Sequence, residues 1–499
     1  MKNLLILTAF VSLFSCQQKK VNLIIRNATV YDGSGNAPMQ QDVAIAEDTI
    51  YAVGQLDDLQ ADSIIDAMGL VLSPGFIDTH SHHDGDIAKD RNAPAVVSQG
   101  VTTIVVGQDG GSNTPLKDYF QLMTDSPAAV NIASYSGHNT LRDMVMGEDF
   151  KRKATEQEID SMILLLRADM DAGAIGLSTG LEYDPGIYSA EDEVLALAKI
   201  LPGYEGRYIS HVRSEDRYFW KAMNEIITIG KEAKIPVQIS HFKLAMTSLW
   251  DKGDSVLAII DAARSNGVDV TADIYPYTYW SSTIRVLFPS RNFKDLGEAE
   301  MILKEITTPE GIVFSNYDPN PGFNGKTLQE VANQLKLTPA KTLIELIARL
   351  DKCGDCSASI VATSMNEKDV VKLMQWPYTN ICSDGNSHGR HPRGFGAFTR
   401  VLKHYVRETN ALTMEQAIHK MTGLSAKNVG ILKRGLIKEG YYADLVLFDP
   451  KTVSDESTIQ DPHKVSKGIA HVWVNGVSVY LNSSVQNVFP GRVIRRSDN

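Results

Sequence analysis

Five side chains able to bind a metal each close a short apolar run: His80 and His82 in GFIDTHSH, His211 in RYISH, His241 in PVQISH and Asp384 in NICSD. Imidazole nitrogens with one carboxylate suit Zn2+ and leave positions open for a water and a substrate oxygen, which makes a catalytic centre the expectation rather than a structural one. Taken singly, each residue reads equally well as an ordinary polar strand end, and Asp384 in SDG as a turn former. Four His and one Asp that all fall at strand ends do not fit that plainer reading.

Such ligands need elements that deliver them to one place. A strand ending in a ligand, then a loop and a helix, puts the ligand at the C-terminal mouth of a parallel α/β barrel. Eight strand candidates alternate with helical patterns: LSPGFIDTH, VTTIVVGQ, VNIASYSGH, AIGLSTGLEY, RYISH, PVQISH, VDVTADIYPY and TNICSD. That alternation is the signature of repeated βα units and predicts a TIM-like barrel over residues 76–434. The segment EQEIDSMILLLRADMDAG predicts one of its helices, with Ile159, Met162, Ile163 and Leu166 facing the core and Gly173 as C-cap. Residues 22–75 alternate apolar and polar positions, and ADLVLFDP and HVWVNGVSVY return to that texture within 435–499. The two ends are expected to pair into a small β-sandwich. About 285–356 is too long for one crossover and carries two helical patterns, so an inserted helical subdomain is expected at the mouth, where it would act as a lid.

The 499 residues are 43% hydrophobic, enough for a large core, and the net charge is −11 without a Lys/Arg cluster. This excludes a nucleic-acid footprint and favours a small-molecule substrate. The first sixteen residues, MKNLLILTAFVSLFSC, have a basic start and an apolar run too short to span a bilayer. They resemble a bacterial lipoprotein signal, with Leu13, Phe14, Ser15 and Cys16 as the lipobox and Cys16 as the lipidated mature N-terminus. An ordinary secretory signal is the alternative. Export follows from either, and lipidation would tether the chain to a membrane, facing the periplasm, without spanning it. Cys353 and Cys356 form a lone CxxC, which suits a local disulfide in an oxidising compartment better than a zinc ribbon, and Cys382 sits in an apparent core strand.

GFIDTHSHHD, GLSTGLEYDPG, YISHVRSE, ISHFK, DIYPY, and SDG followed by HPRGFGAFTRVL resemble the N-acyl-D-amino-acid deacylases, or D-aminoacylases, of the amidohydrolase superfamily. The resemblance covers nearly everything after the signal. It implies a distorted (β/α)8 barrel that hydrolyses the amide of an N-acylated D-amino acid to a carboxylate and the free D-amino acid. It implies that His211 and His241 are principal zinc ligands, that His80 and His82 are the pair from the first strand, and that Asp384 is the acid/base. A metal that lowers the pKa of water from ~15.7 to near 7 makes hydroxide available at neutral pH. Asp384 would take the proton and pass it to the leaving amine, with Tyr183 or His138 as a donor to the scissile carbonyl. A substrate carboxylate needs charged and hydroxyl donors, and the resemblance gives this role to Lys243, Tyr275, Ser281 and Arg393.

The chain departs from the pattern after the second strand. The deacylases carry a bridging Cys in a segment like GNCG, and here Gly107, Gln108, Asp109 and Gly110 stand instead. Asp109 is therefore a candidate bridge between two zinc ions, with Glu182 as a second candidate; otherwise one zinc does the work. Asp109 as a turn residue and Glu182 as a salt-bridge partner are the plainer readings. Tyr279 and Trp280 bring bulk where the family often has small residues, which points to an apolar D-amino-acid side chain. Rival functions are cyclic-amide hydrolysis or cleavage of D- or isoaspartyl dipeptides on the same scaffold, and a non-catalytic binding lipoprotein. Oligomeric state is not written in these features.

Overall fold

The computed structural model describes residues 20–496; the lipobox and Cys16 lie outside them. Among the described residues no helix is long and apolar enough to cross a membrane.

All eight expected strands form. They are Phe76–Asp78, Val101–Val106, Asn131–Ser134 continuing as Ser136–Gly137, Gly176–Gly180, Arg207–His211, Val237–Ile239, Val270–Ile274 and Thr379–Ile381. They pair in parallel in sequence order, as a run of three and a run of six that share the third strand, which breaks at Tyr135. Backbone bonds link the segments beyond the first and eighth strands: the Asp384 N–H donates to His80 O (2.8 Å) and the His82 N–H to Gly385 O (2.9 Å). The Asp78 carboxylate strengthens this join by accepting from the Ser383 N–H (2.8 Å) and hydroxyl (2.5 Å). Nearly every strand residue is buried, as expected for parallel strands covered on both faces.

Helix Glu156–Ala172 shows how local chemistry sets these boundaries. Thr155 and Glu158 form a reciprocal capping box at its start, and Gly173 ends it at φ 111°, a conformation that favours glycine. Met162, Leu166 and Met170 are buried, so the predicted apolar stripe is core.

Both chain ends enter one nine-stranded sheet, joined where Val71–Pro74 pairs antiparallel with Leu445–Phe448. Its pairing is mixed: alternation of apolar and polar positions is expected of antiparallel strands, but Val21–Val30 runs parallel to Ala61–Asp66 and to Val71–Pro74. Leu23, Ile25, Leu72, Leu445 and Trp473 pack into one cluster between the two ends.

The inserted segment corrects the sequence expectation of a helical subdomain. Helices Leu328–Leu335 and Pro339–Cys353 are present, but Tyr279–Thr283, Ala358–Thr363 and Ile312–Tyr317 form an antiparallel sheet beside them. These strands are only five or six residues long and share no common burial period, a signal that is weak beside the strong amphipathic helices. Cys353 and Cys356 are joined as a disulfide, and Cys382 is buried and free.

Candidate active site and metal centre

The strand ends bring His80, His82, Asp109, His211, His241 and Asp384 together. Two ligand groups overlap at Asp109: one is His80, His82, Asp109 and Asp384, the other Asp109, His211 and His241. Asp109 Oδ1 lies 3.3 Å from His80 Nε2 and 3.4 Å from His241 Nε2, and Oδ2 lies 3.3 Å from His82 Nε2. Asp109, His241 and Asp384 all adopt left-handed backbone, with φ 53°, 34° and 49°. Three non-glycine residues in this region at one cluster indicate local strain held by the surrounding fold to aim side chains.

The arrangement fits a cation. Both nitrogens of His80 and Asp109 Oδ1 are buried without a hydrogen-bond partner, and His80 Nε2 and Asp109 Oδ1 face one another. Such atoms are costly unless something else satisfies them. Against the effect of burial, Asp109 and Asp384 push the His82 imidazole up to about 9, so the carboxylates favour positive charge where they converge.

Groups outside the cluster orient the imidazoles. His241 Nδ1 lies 2.9 Å from Glu215 Oε1 and 2.7 Å from Lys243 Nζ, leaving Nε2 turned inward. The Asp273 carboxylate accepts from the His241 backbone N–H (2.5 Å), which holds its left-handed turn. His211 Nδ1 faces His241 Nε2 at 2.8 Å, while its Nε2 meets Glu182 Oε2 at 3.0 Å. Burial holds His211 down at about 3, and burial with the Asp216 and Glu215 charges pushes Glu182 well above its ordinary value. Glu182, His211 and Glu215 form a third group of possible ligands, joined to the second through His211, whereas Asp109 joins the first and second.

Asp384 is ionised here. Burial would raise its carboxyl, but the Arg393 guanidinium and His241 hold it far below the usual carboxylate range. Arg393 Nη1 donates to Asp384 Oδ2 at 2.6 Å, and Oδ1 faces His82 Nε2 at 3.2 Å.

An inner chamber of about 40 Å³ opens beside the cluster, and a cleft of about 1140 Å³ lies outside it. Tyr183, Lys243, Tyr275, Ser281 and Arg393 line the chamber, as the resemblance implied. Tyr275 Oη is buried without a partner, whereas Lys243 Nζ donates to Glu215 Oε1 at 2.5 Å. Arg393 gives Nη1 to Asp384 Oδ2 and Nη2 to the Ser281 carbonyl. His138 is a correction: it is fully buried, its Nε2 meets Glu193 Oε1 at 2.9 Å, and it lines neither cavity. Its strand-end position resembled a ligand's, but Glu193 and Arg142 turn it into part of a buried ion network.

Glu215 and Asp273 were not singled out from sequence. Asp273 stands one residue before the end of the seventh strand, Val270–Ile274, as a buried carboxylate in a mostly apolar stretch, and that is the signal the sequence offered for it. Glu215 follows His211 by four residues in SHVRSE, in a loop whose path sequence does not give.

The amidohydrolase family model matches residues 63–280 and 380–480. The chain is 34% identical to a D-aminoacylase of Alcaligenes xylosoxydans xylosoxydans over 95% of its length and 98% of that protein's. It is 35% identical to an N-acyl-D-aspartate deacylase of the same organism, over 96% of each chain. A solved N-acyl-D-glutamate deacylase from Bordetella bronchiseptica, in complex with zinc and a phosphonate mimic of the tetrahedral intermediate, superposes with a TM-score of 0.86 at 31% identity, covering 96% of this chain and all of that one. With this α/β fold, this site and this likeness along the whole length, the chain belongs to the amidohydrolase family, among the N-acyl-D-amino-acid deacylases.

Proposed function

We propose that this protein hydrolyses N-acyl-D-amino acids to a carboxylate and a free D-amino acid, using one or two zinc ions held by His80, His82, Asp109, His211, His241 and Asp384. The observation that carries the reading is Asp109 shared between two ligand groups, with buried unpartnered atoms facing the gap. When bound, zinc polarises the scissile carbonyl and makes a nucleophile of water at neutral pH. Asp384 Oδ1 takes the proton of the attacking water and returns it to the leaving nitrogen, while Arg393 fixes Oδ2. Tyr275, Lys243 and Arg393 receive the substrate carboxylate in the chamber. Ala245, Trp280, Val286, Leu287 and Ile306 close that chamber and favour an apolar D side chain over an acidic one. Glu182 orients His211 rather than bridging metals.

The parallel array is read as a distorted (β/α)8 barrel closed between its first and eighth strands, with the shared sheet as its β-sandwich and the inserted segment as a lid. Residues 1–16 are read as a lipoprotein signal that exports the chain and anchors it through Cys16. Chelation is expected to abolish release of D-leucine from N-acetyl-D-leucine, and added zinc to restore it. Full turnover by metal-free protein contradicts the reading.

A further inference from the structure

The two cavities are unequal, and the inequality bears on the acyl half of the substrate. Lys243 and Tyr275, donors suited to an α-carboxylate, line the small chamber and not the cleft, and Arg393 lines both, so the amino-acid half lies inward and the acyl half points outward. An acetyl group has no use for the space it meets there. The outer cleft, about 1140 Å³, exceeds the ~300–1,000 Å³ of ordinary small-ligand pockets.

Ile284, Phe293 and Leu350 give the cleft apolar wall, and polar groups share it, a mixture that a peptide matches. Lys151, Asp184, Thr283, Arg291, Ser359 and Asn386 line it, a mixture of both charges with hydroxyl and amide groups. A strand edge also runs along it. Tyr279–Thr283 pairs with Ala358–Thr363 on one side only. The Tyr279 carbonyl meets His391 Nε2 at 2.8 Å and the Ser281 carbonyl accepts from Arg393 Nη2 at 3.4 Å. The edge then continues through Ser282 and Thr283 into the outer cleft. With both of those carbonyls taken, an extended peptide can pair with this edge only at its open end, Ser282 and Thr283, where the outer cleft begins.

We infer that the enzyme also removes an apolar D-residue from the C-terminus of peptides of three residues or more, the peptidyl chain occupying the outer cleft beside Ser282 and Thr283. This rests on the deacylase reading. The chemistry is the same hydrolysis: water supplies the new C–O bond, the last peptide C–N bond breaks, and the water proton passes to the leaving amine. The products are a shortened peptide carboxylate and a free D-amino acid.

The test gives zinc-loaded, full-length protein N-acetyl-D-leucine, acetyl-Gly-Gly-D-leucine and acetyl-Gly-Gly-L-leucine and measures free leucine. The expected kcat/KM for the D-terminated peptide is within about tenfold of that for N-acetyl-D-leucine, with no release from the L-terminated one. Hydrolysis of N-acetyl-D-leucine with a D-peptide value lower than that, or equal release from the L-peptide, overturns the inference and leaves the deacylase reading standing. Release from neither D substrate overturns both.

Discussion

Asp384 divides its two oxygens between two tasks: Oδ2 is fixed by Arg393 at 2.6 Å, and Oδ1 faces the His cluster. A carboxylate held ionised in this way is a proton acceptor whose position does not wander. Asp384→Asn keeps the shape and removes the acceptor, so kcat is expected to fall by about 10²–10⁴ while zinc content changes little. Asp109 has the opposite profile, because it touches both ligand groups. Asp109→Ala is expected to lower the zinc bound per chain as measured by elemental analysis, and zinc content identical to wild type would contradict its place as the bridge. These residues were legible because strand ends in a parallel fold announce themselves. Glu215 and the true partner of His138 were not, since both depend on loop and helix paths that bring Glu193 and Lys243 alongside from distant positions.

At the scale of elements, the parallel strands could be read from apolar runs, whereas the small antiparallel sheet of the insertion could not. Its strands are short, and neighbouring helices such as Leu328–Leu335, with its Thr327–Glu330 capping box, dominate the pattern. The shared sheet of the chain ends carries its own titratable group. His471 stacks on Trp473 at 3.6 Å and meets Ser478 Oγ at 2.6 Å, and burial lowers its imidazole to about 4. A depressed histidine stays neutral in the folded chain while the unfolded chain takes up a proton below about 6.5. Its stabilising contribution is present above that value and is lost as pH falls toward 4, on the order of 3 kcal/mol in all. Denaturant titrations between pH 7 and 4 are expected to show a shallower loss for His471→Gln than for wild type, and parallel curves would contradict the assignment.

For the whole molecule, the N-terminal and C-terminal parts of the described chain are sewn into one sheet at Val71–Pro74 and Leu445–Phe448. Cys16→Ser is expected to move the protein from the membrane fraction to the soluble fraction with kcat/KM unchanged; unchanged fractionation would contradict lipid anchoring. The central claim concerns the reaction itself. It is tested most directly by giving the zinc-loaded protein N-acetyl-D-leucine and N-acetyl-L-leucine and following free amine. Release confined to the D enantiomer is the expected result, and release from the L enantiomer alone would contradict the account.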